Sequence, residues 1–270
     1  MTTSHGQPTS ALYGLSSTLL KLLREDRPLG LSFALDGPER TFRHTQNPDY
    51  KAQRPPMPNP LREQLALLPA LIDAFAAPRF ALPGFEADDV LATLAKQLEA
   101  DQLACLVVTG DRDLFQIVRE RVSVMFVGAR GQPPAIYDRA AVERRYGLRP
   151  EQLPSLTALV GDASDNLPKV KGIGERGAGA LVRSFGDARS LLGQLSRVTP
   201  SRLRDSIERS ADQILATEAL ARLRDDVPIP AGPRYGAVNR AALQRVRAFF
   251  VELEFQSLLP RLDALLDPTP

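Results

Sequence analysis

The chain has one cysteine, Cys105, two histidines, His5 and His44, and no apolar run reaching the ~18 residues that a membrane-spanning helix needs. One thiol cannot close an internal disulfide, and a lone cysteine rules out a cysteine-rich zinc site. Cys105 falls inside the apolar run Leu103 to Val108 and reads as a small core residue. Neither histidine has triad or zinc spacing, so neither is assigned a role. The start Met1-Thr2-Thr3-Ser4-His5-Gly6 lacks the basic and apolar regions of a signal peptide. A soluble, cytoplasmic protein without a membrane partner is therefore expected. The formal net charge of +2 arises from 34 basic and 32 acidic residues, so where the signs cluster matters more than their sum. With 270 residues and 43% hydrophobic content, the chain can bury a core as one large domain or as a domain with a subdomain.

The carboxylates sit where acidic residues are hardest to explain structurally, at the edges of apolar runs. They form Gly84-Phe85-Glu86-Ala87-Asp88-Asp89, Thr109-Gly110-Asp111-Arg112-Asp113 and Gly161-Asp162-Ala163-Ser164-Asp165-Asn166, joined by Asp36 after Leu31 to Leu35. Two carboxylates about 4 Å apart repel by roughly 4 kcal/mol at an effective dielectric near 20, so a site shared by all eight is tenable only with bound cations. Oxygen-only ligation favours magnesium or manganese over zinc.

Apolar spacing predicts helices over 11–23, 61–77, 86–100, 139–146, 151–160, 175–185, 202–224 and 241–251, and buried strands over 29–35, 103–109 and 122–127. Strands alternating with helices point to a parallel α/β sheet, followed after about residue 138 by an all-helical region. Residues 47–60 carry Pro48, Pro55, Pro56, Pro58 and Pro60, which predicts a long exposed loop or arch. Asp36 and Asp111 fall at the carboxyl ends of predicted strands, where open parallel sheets bind ligands. Each acidic cluster alone is explained by capping or by an Asx turn; their joint occurrence favours a site. Gly172-Ile173-Gly174, flanked by Lys169 and Lys171, has the form of a helix-hairpin-helix whose backbone N–H groups can approach phosphates. Gly177 and Gly179 stand in the following helix, at a cost of up to about 1 kcal/mol each.

Successive segments resemble the 5′ nuclease family (5′ to 3′ exonuclease and flap endonuclease) found at the N-terminus of bacterial DNA polymerase I and in stand-alone relatives. They are residues 2–11, Tyr50 to Arg54, Glu86 to Val90, Thr109 to Leu114, Tyr146 to Pro150, Gly161 to Pro168 and Val170 to Gly174. The resemblance implies a PIN-like, parallel-sheet nuclease core over 1–138 with a helical arch near 43–60. It also implies a helix-three-turn-helix subdomain over 139–260, with its helix-hairpin-helix near 161–186, and a tail over 261–270. Asp36, Glu86, Asp88 and Asp89 match the carboxylates around one divalent ion, and Asp111, Asp113, Asp162 and Asp165 those around a second, Mg2+ or Mn2+. Lys51 and Arg54 match arch residues that engage the reacting phosphate. Lys169, Lys171, Gly172, Ile173 and Gly174 match the hairpin that grips duplex DNA, often with K+. Family members carry a further segment before the motif that opens this chain, with a central first strand and one more aspartate; that strand is expected to be missing here, with Met1 a wrongly assigned start.

The expected function is metal-dependent 5′ to 3′ exonuclease and 5′-flap endonuclease action by a monomer on branched or 5′-ended DNA in replication and repair. The rival reading is a noncatalytic, structure-specific DNA-binding protein that lacks the first-strand aspartate. A strand-end aspartate phosphatase fits poorly, because Asp36-Gly37-Pro38 lacks the second aspartate two residues on.

Overall fold

In the computed structural model, which describes residues 1–128 and 132–267, the N-terminal leucine stripe forms helix α1 (Ser10–Glu25) and buries Leu12, Leu19, Leu20 and Leu22. Strand β1 (Phe33–Ala34) and a five-residue helix α2 (Phe42–Gln46) follow. Residues 47–58 contain no helix or strand, as their prolines require, up to α3 (Asn59–Ala74). Pro60 sits in the first turn of α3, where its missing N–H leaves no bond unmade, and Pro69 is carried inside the helix. Then come β2 (Arg79–Phe80), α4 (Ala87–Ala100), β3 (Cys105–Thr109), a 3-10 helix (Asp113–Ile117), β4 (Val122–Phe126) and β5 (Ala135–Tyr137). The remainder is helical: α5 (Arg139–Tyr146), α6 (Leu153–Val160), α7 (Glu175–Phe185), α8 (Ala188–Leu192), α9 (Ser201–Arg209), α10 (Ala211–Ala221), α11 (Arg240–Glu252) and α12 (Leu259–Leu266).

The mixed α/β core with small parallel sheets and the helical C-terminal region match the expectation; the sheet itself differs. β1 pairs with β2 in parallel, while β3 pairs with β4 in parallel and β4 with β5 antiparallel, giving, among the described residues, two sheets of two and three strands. β3 forms one edge of the larger sheet. β2 and β5 have two and three residues, too short for alternation to register. The helix expected over 202–224 breaks at Ser210, whose φ of −102° and ψ of 13° leave the helical region. Gly177 and Gly179 do not interrupt α7, and nothing lies within 4 Å of where a side chain would begin at either. The stretch expected as a tail begins inside α12, where Leu262 is fully buried; residues 268–270 lie outside the described ones.

By contacts the chain divides into two compact units. One comprises residues 1–35, 55–81 and 230–270, and holds α1, α3, α11, α12 and the β1–β2 pair. The other comprises residues 36–54 and 82–229. Its core packs Val107, Val122 and Val124 of the three-stranded sheet with Phe115, Ala92 and Ala95, and continues through Leu159, Ala178, Val182 and Ile207. Sheet and helical region therefore share one core there, and all the candidate site residues lie in this unit.

Candidate active site

Several of the acidic residues are held by hydrogen bonds from backbone N–H groups. Asp36 accepts the Ala87 N–H at 2.8 Å, one of the free donors at the start of α4. Glu86 is the N-cap of α4, and Asp88 and Asp89 lie in its first turn, facing the positive end of the helix dipole. Asp111 follows β3 and accepts the Asp113 N–H at 2.9 Å, so an Asx turn carries the chain into the 3-10 helix. Asp162 and Leu167 exchange backbone hydrogen bonds at 3.0 and 2.7 Å, closing a tight loop. At its neck Gly161 has φ +72°, and a Cβ there would come within 2.6 Å of the Leu167 carbonyl oxygen, so glycine is required. Inside the loop, Asp162 accepts the Ser164 N–H and hydroxyl at 2.6 and 2.8 Å.

These motifs are coupled electrostatically. Burial pushes the Asp88 carboxyl up to about 7, helped by the charges of Asp111, Asp36 and Glu86. Asp113 is likewise pushed up to about 7 by burial and then by Asp111, Asp162, Asp165 and Asp88. Seven of the eight predicted carboxylates thus belong to one field.

Asp89 departs from the prediction. It is fully buried and faces Arg43, whose Nη1 and Nη2 donate to its two oxygens at 2.7 and 2.8 Å. The same oxygens accept the backbone N–H groups of Glu86 and Arg224 at 3.1 and 2.9 Å. A carboxylate so occupied is a cap and a counter-ion, and has no lone pair directed toward the other acids.

Lys51 and Arg54 are brought to the acidic face. Lys51 Nζ lies 2.8 Å from Glu86 and 3.9 Å from Asp165, and Arg54 Nη2 donates to Asp165 at 2.6 Å. Backbone and side-chain bonds dock residues 49–54 onto the acidic loop: Lys51 N–H to the Asp165 carbonyl at 3.1 Å, Gln53 to the Ala163 carbonyl at 2.6 Å, and Asn166 to the Asp49 carbonyl at 2.8 Å. Two residues were missed from sequence. Tyr50 is 3% exposed and its hydroxyl donates to Asp165 at 2.8 Å and Glu86 at 3.2 Å; burial, then Glu86 and Asp165, push its ionisation upward. Arg43 is the other, and nothing in the sequence distinguishes it from a solvated arginine. His44 caps α2 by accepting the Thr41 N–H at 3.2 Å.

At the hairpin, Gly172 has φ +83° and Gly174 caps α7, with Lys169 and Lys171 exposed. The Ile173 side chain is buried in the core, which leaves only its backbone for a ligand.

A model of the 5′-3′ exonuclease N-terminal resolvase-like domain matches residues 1–147, and one of the 5′-3′ exonuclease C-terminal SAM fold matches residues 148–242. The chain belongs to the 5′-3′ exonuclease family. Among its relatives is the thermostable DNA polymerase I of Thermus thermophilus, 40% identical over 271 residues, which cover all of this chain and 32% of that protein. DNA polymerase I of Bacillus subtilis is 35% identical over 95% of the chain and 29% of its own length. The chain thus spans about a third of the length of these curated relatives. The T5 5′-exonuclease with zinc bound has the same fold, with a TM-score of 0.65 at 19% identity over 98% of this chain and 93% of that one. So has the catalytic core of Rad2 in complex with a DNA substrate, at 0.59 and 17% over 94% and 83%.

An oxygen-only donor set with mutual repulsion fits hard divalent cations. Among the described residues, no three acidic, histidine or cysteine side chains lie together closely enough to hold a metal ion. Because Asp88 and Asp113 bind protons in the folded, metal-free chain that they release when unfolded, stability should fall as pH rises from about 4 to about 7. A divalent ion bound among these acids would relieve that repulsion, so the rise in melting temperature on adding Mg2+ should be larger at pH 8 than at pH 5. Calorimetric scans at the two pH values check this; an equal increment at both would contradict the shared field.

Proposed function

We propose that the chain is a divalent-metal-dependent phosphodiesterase, a 5′ to 3′ exonuclease and 5′-flap endonuclease acting on branched or 5′-ended DNA. The observation that carries this reading is the electrostatic coupling of seven carboxylates, two of which, Glu86 and Asp165, are bonded by Lys51, Arg54 and Tyr50. Asp36, Glu86 and Asp88 would hold one ion, and Asp111, Asp113, Asp162 and Asp165 a second, Mg2+ or Mn2+. Bound ions supply polarisation of the scissile phosphate and a more acidic water. Lys51 and Arg54 offset negative charge on the phosphate as the bond breaks, and the Tyr50 hydroxyl orients Glu86 and Asp165. No nucleophilic side chain is needed. Exposed Lys169 and Lys171 flank a hairpin whose backbone N–H groups and helix N-terminus suit duplex phosphates, with K+ a candidate occupant of its carbonyls. The division into a core over 1–138 and a DNA-binding region over 139–260, and action as a monomer, belong to the same reading. No helix among the described residues is long and apolar enough to cross a membrane.

That no three acidic, histidine or cysteine side chains among the described residues are placed to hold a metal suits a second reading, a structure-specific DNA-binding protein without turnover. A duplex bearing a labelled 5′ flap separates the two. Release of 5′ products that requires Mg2+ and stops with EDTA is expected; binding without release favours the second reading, and degradation from the 3′ end contradicts the first.

A further inference from the structure

Arg43 is the largest fully buried side chain among the described residues, and its guanidinium spends every direction it has. Nη1 and Nη2 clasp Asp89, Nε donates to the Leu220 carbonyl at 2.8 Å, Nη2 reaches the Arg222 carbonyl at 3.3 Å, and Nη1 reaches Glu86 at 3.5 Å. Burial alone would depress its ionisation, but the hydrogen bonds and charge of Asp89, followed by the charge of Glu86, raise it. The pair also joins two helix ends of opposite polarity. Arg43 meets the carbonyl end of α10, and Asp89 lies in the first turn of α4, each at the end its charge stabilises.

The consequence for the acidic face runs through Glu86. One of its oxygens accepts from Arg43 and Tyr50, and the other accepts from Lys51 at 2.8 Å. Arg43 is on α2, and the chain from α2 leads directly into Tyr50, Lys51 and Arg54. The α4 turn that carries Glu86 and Asp88 and the segment that carries the cations are thus fixed to one buried anchor, which is itself held by α10 of the helical region.

We propose that Arg43 and Asp89 form a positioning pair, touching neither DNA nor metal, which orients Glu86 and the 50–54 segment and thereby sets divalent-ion affinity and turnover. The inference rests on the metal-dependent reading of the site. A buried ion pair is poor evidence of stability, since apolar replacement of both partners is often neutral, and this provides a way to separate positioning from folding.

The test uses the 270-residue chain with R43K, D89N and the double variant R43M/D89L, measuring thermal unfolding, Mn2+ binding by calorimetry, and kcat and KM on the flap substrate. The double variant is expected to melt close to the parent yet bind Mn2+ about 10- to 100-fold more weakly, with a similar loss in kcat and little change in KM. Parental Mn2+ affinity and kcat in the double variant would overturn the proposal. So would a D89N chain that binds fewer Mn2+ ions while the rest keep parental affinity, since Asp89 would then be a ligand. If the double variant does not fold, R43K decides: it keeps charge and length but loses the two-pronged contact, so weakened Mn2+ binding supports the pair and parental binding overturns it. A parent that binds Mn2+ without cleaving DNA would sink the nuclease reading, yet leave the Mn2+ comparison decisive. A parent that binds no Mn2+ would overturn both.

Discussion

Replacing Asp111 or Asp88 by asparagine is expected to lower cleavage of a 5′-flap substrate by about 1,000-fold or more while DNA affinity holds or improves. Each side chain belongs to the field in which Asp88 is raised by burial and by Asp111, and Asp113 by burial and by Asp111. Losing one ligand oxygen's charge weakens ion binding and the charge stabilisation it supplies, which at roughly 4 kcal/mol corresponds to about a thousandfold in rate. DNA, in contrast, is a polyanion, and removing a negative charge beside its path lessens repulsion. Asp88→Asn carries a further signature: it removes a charge that burial and three acidic neighbours oppose, so the metal-free chain at pH 8 should melt higher than the parent. Rates under saturating Mg2+, anisotropy with labelled DNA in Ca2+, and a melting curve in EDTA measure all three. Parental cleavage by either variant would show that these acids do not serve the reaction.

Replacing Lys51 by alanine should cost about 100- to 1,000-fold in kcat, the usual loss when one donor to a developing negative charge is removed. The geometry is specific to this position. Lys51 adopts φ +56°, a conformation rarely taken by side-chain-bearing residues, and its N–H is tied to the Asp165 carbonyl. Its ammonium meanwhile lies 2.8 Å from Glu86 and beside the Tyr50 ring, at 4.9 Å from the centroid. A substrate phosphate approaching the acids would meet this group together with Arg54. Alanine leaves the backbone contacts possible, so folding and DNA affinity should change little, and the loss should fall on kcat rather than KM. Single-turnover cleavage with varied DNA reads this division. A loss confined to KM would make Lys51 a binding residue only.

The acidic face was legible because carboxylates at the ends of apolar runs are rare and expensive, and three such clusters in one chain have few bland explanations. What sequence could not resolve was direction. Asp88 and Asp89 are neighbours in composition, but successive residues on a helix point about 100° apart, so one joins the acids and the other turns into the core toward Arg43. The ordinary capping explanation of that turn describes Asp89 and, in part, Glu86, which together form the capping box of α4. Arg43 itself had no signal, since a buried arginine looks in sequence like a solvated one until its partners are placed. Tyr50 stood within a quoted motif, yet its role depends on Glu86 and Asp165, which are distant in the chain. The strands were read where apolar runs were five residues long, as in β3 and β4, and missed in β2 and β5, which are defined by pairing rather than by pattern. The short helices α2 and α8 escaped for the same reason, since five residues hold too little of a helical period to be counted.

The most direct measurement is multiple-turnover cleavage of a 5′-flap duplex by the 270-residue chain across a Mg2+ titration, with Asp111→Asn alongside. Product from the 5′ strand that exceeds the enzyme concentration many-fold, rises with Mg2+ and collapses in the variant is the expected result. DNA binding with no product at any Mg2+ or Mn2+ concentration, or equal product from parent and variant, would contradict the assignment of this acidic face as a nuclease centre.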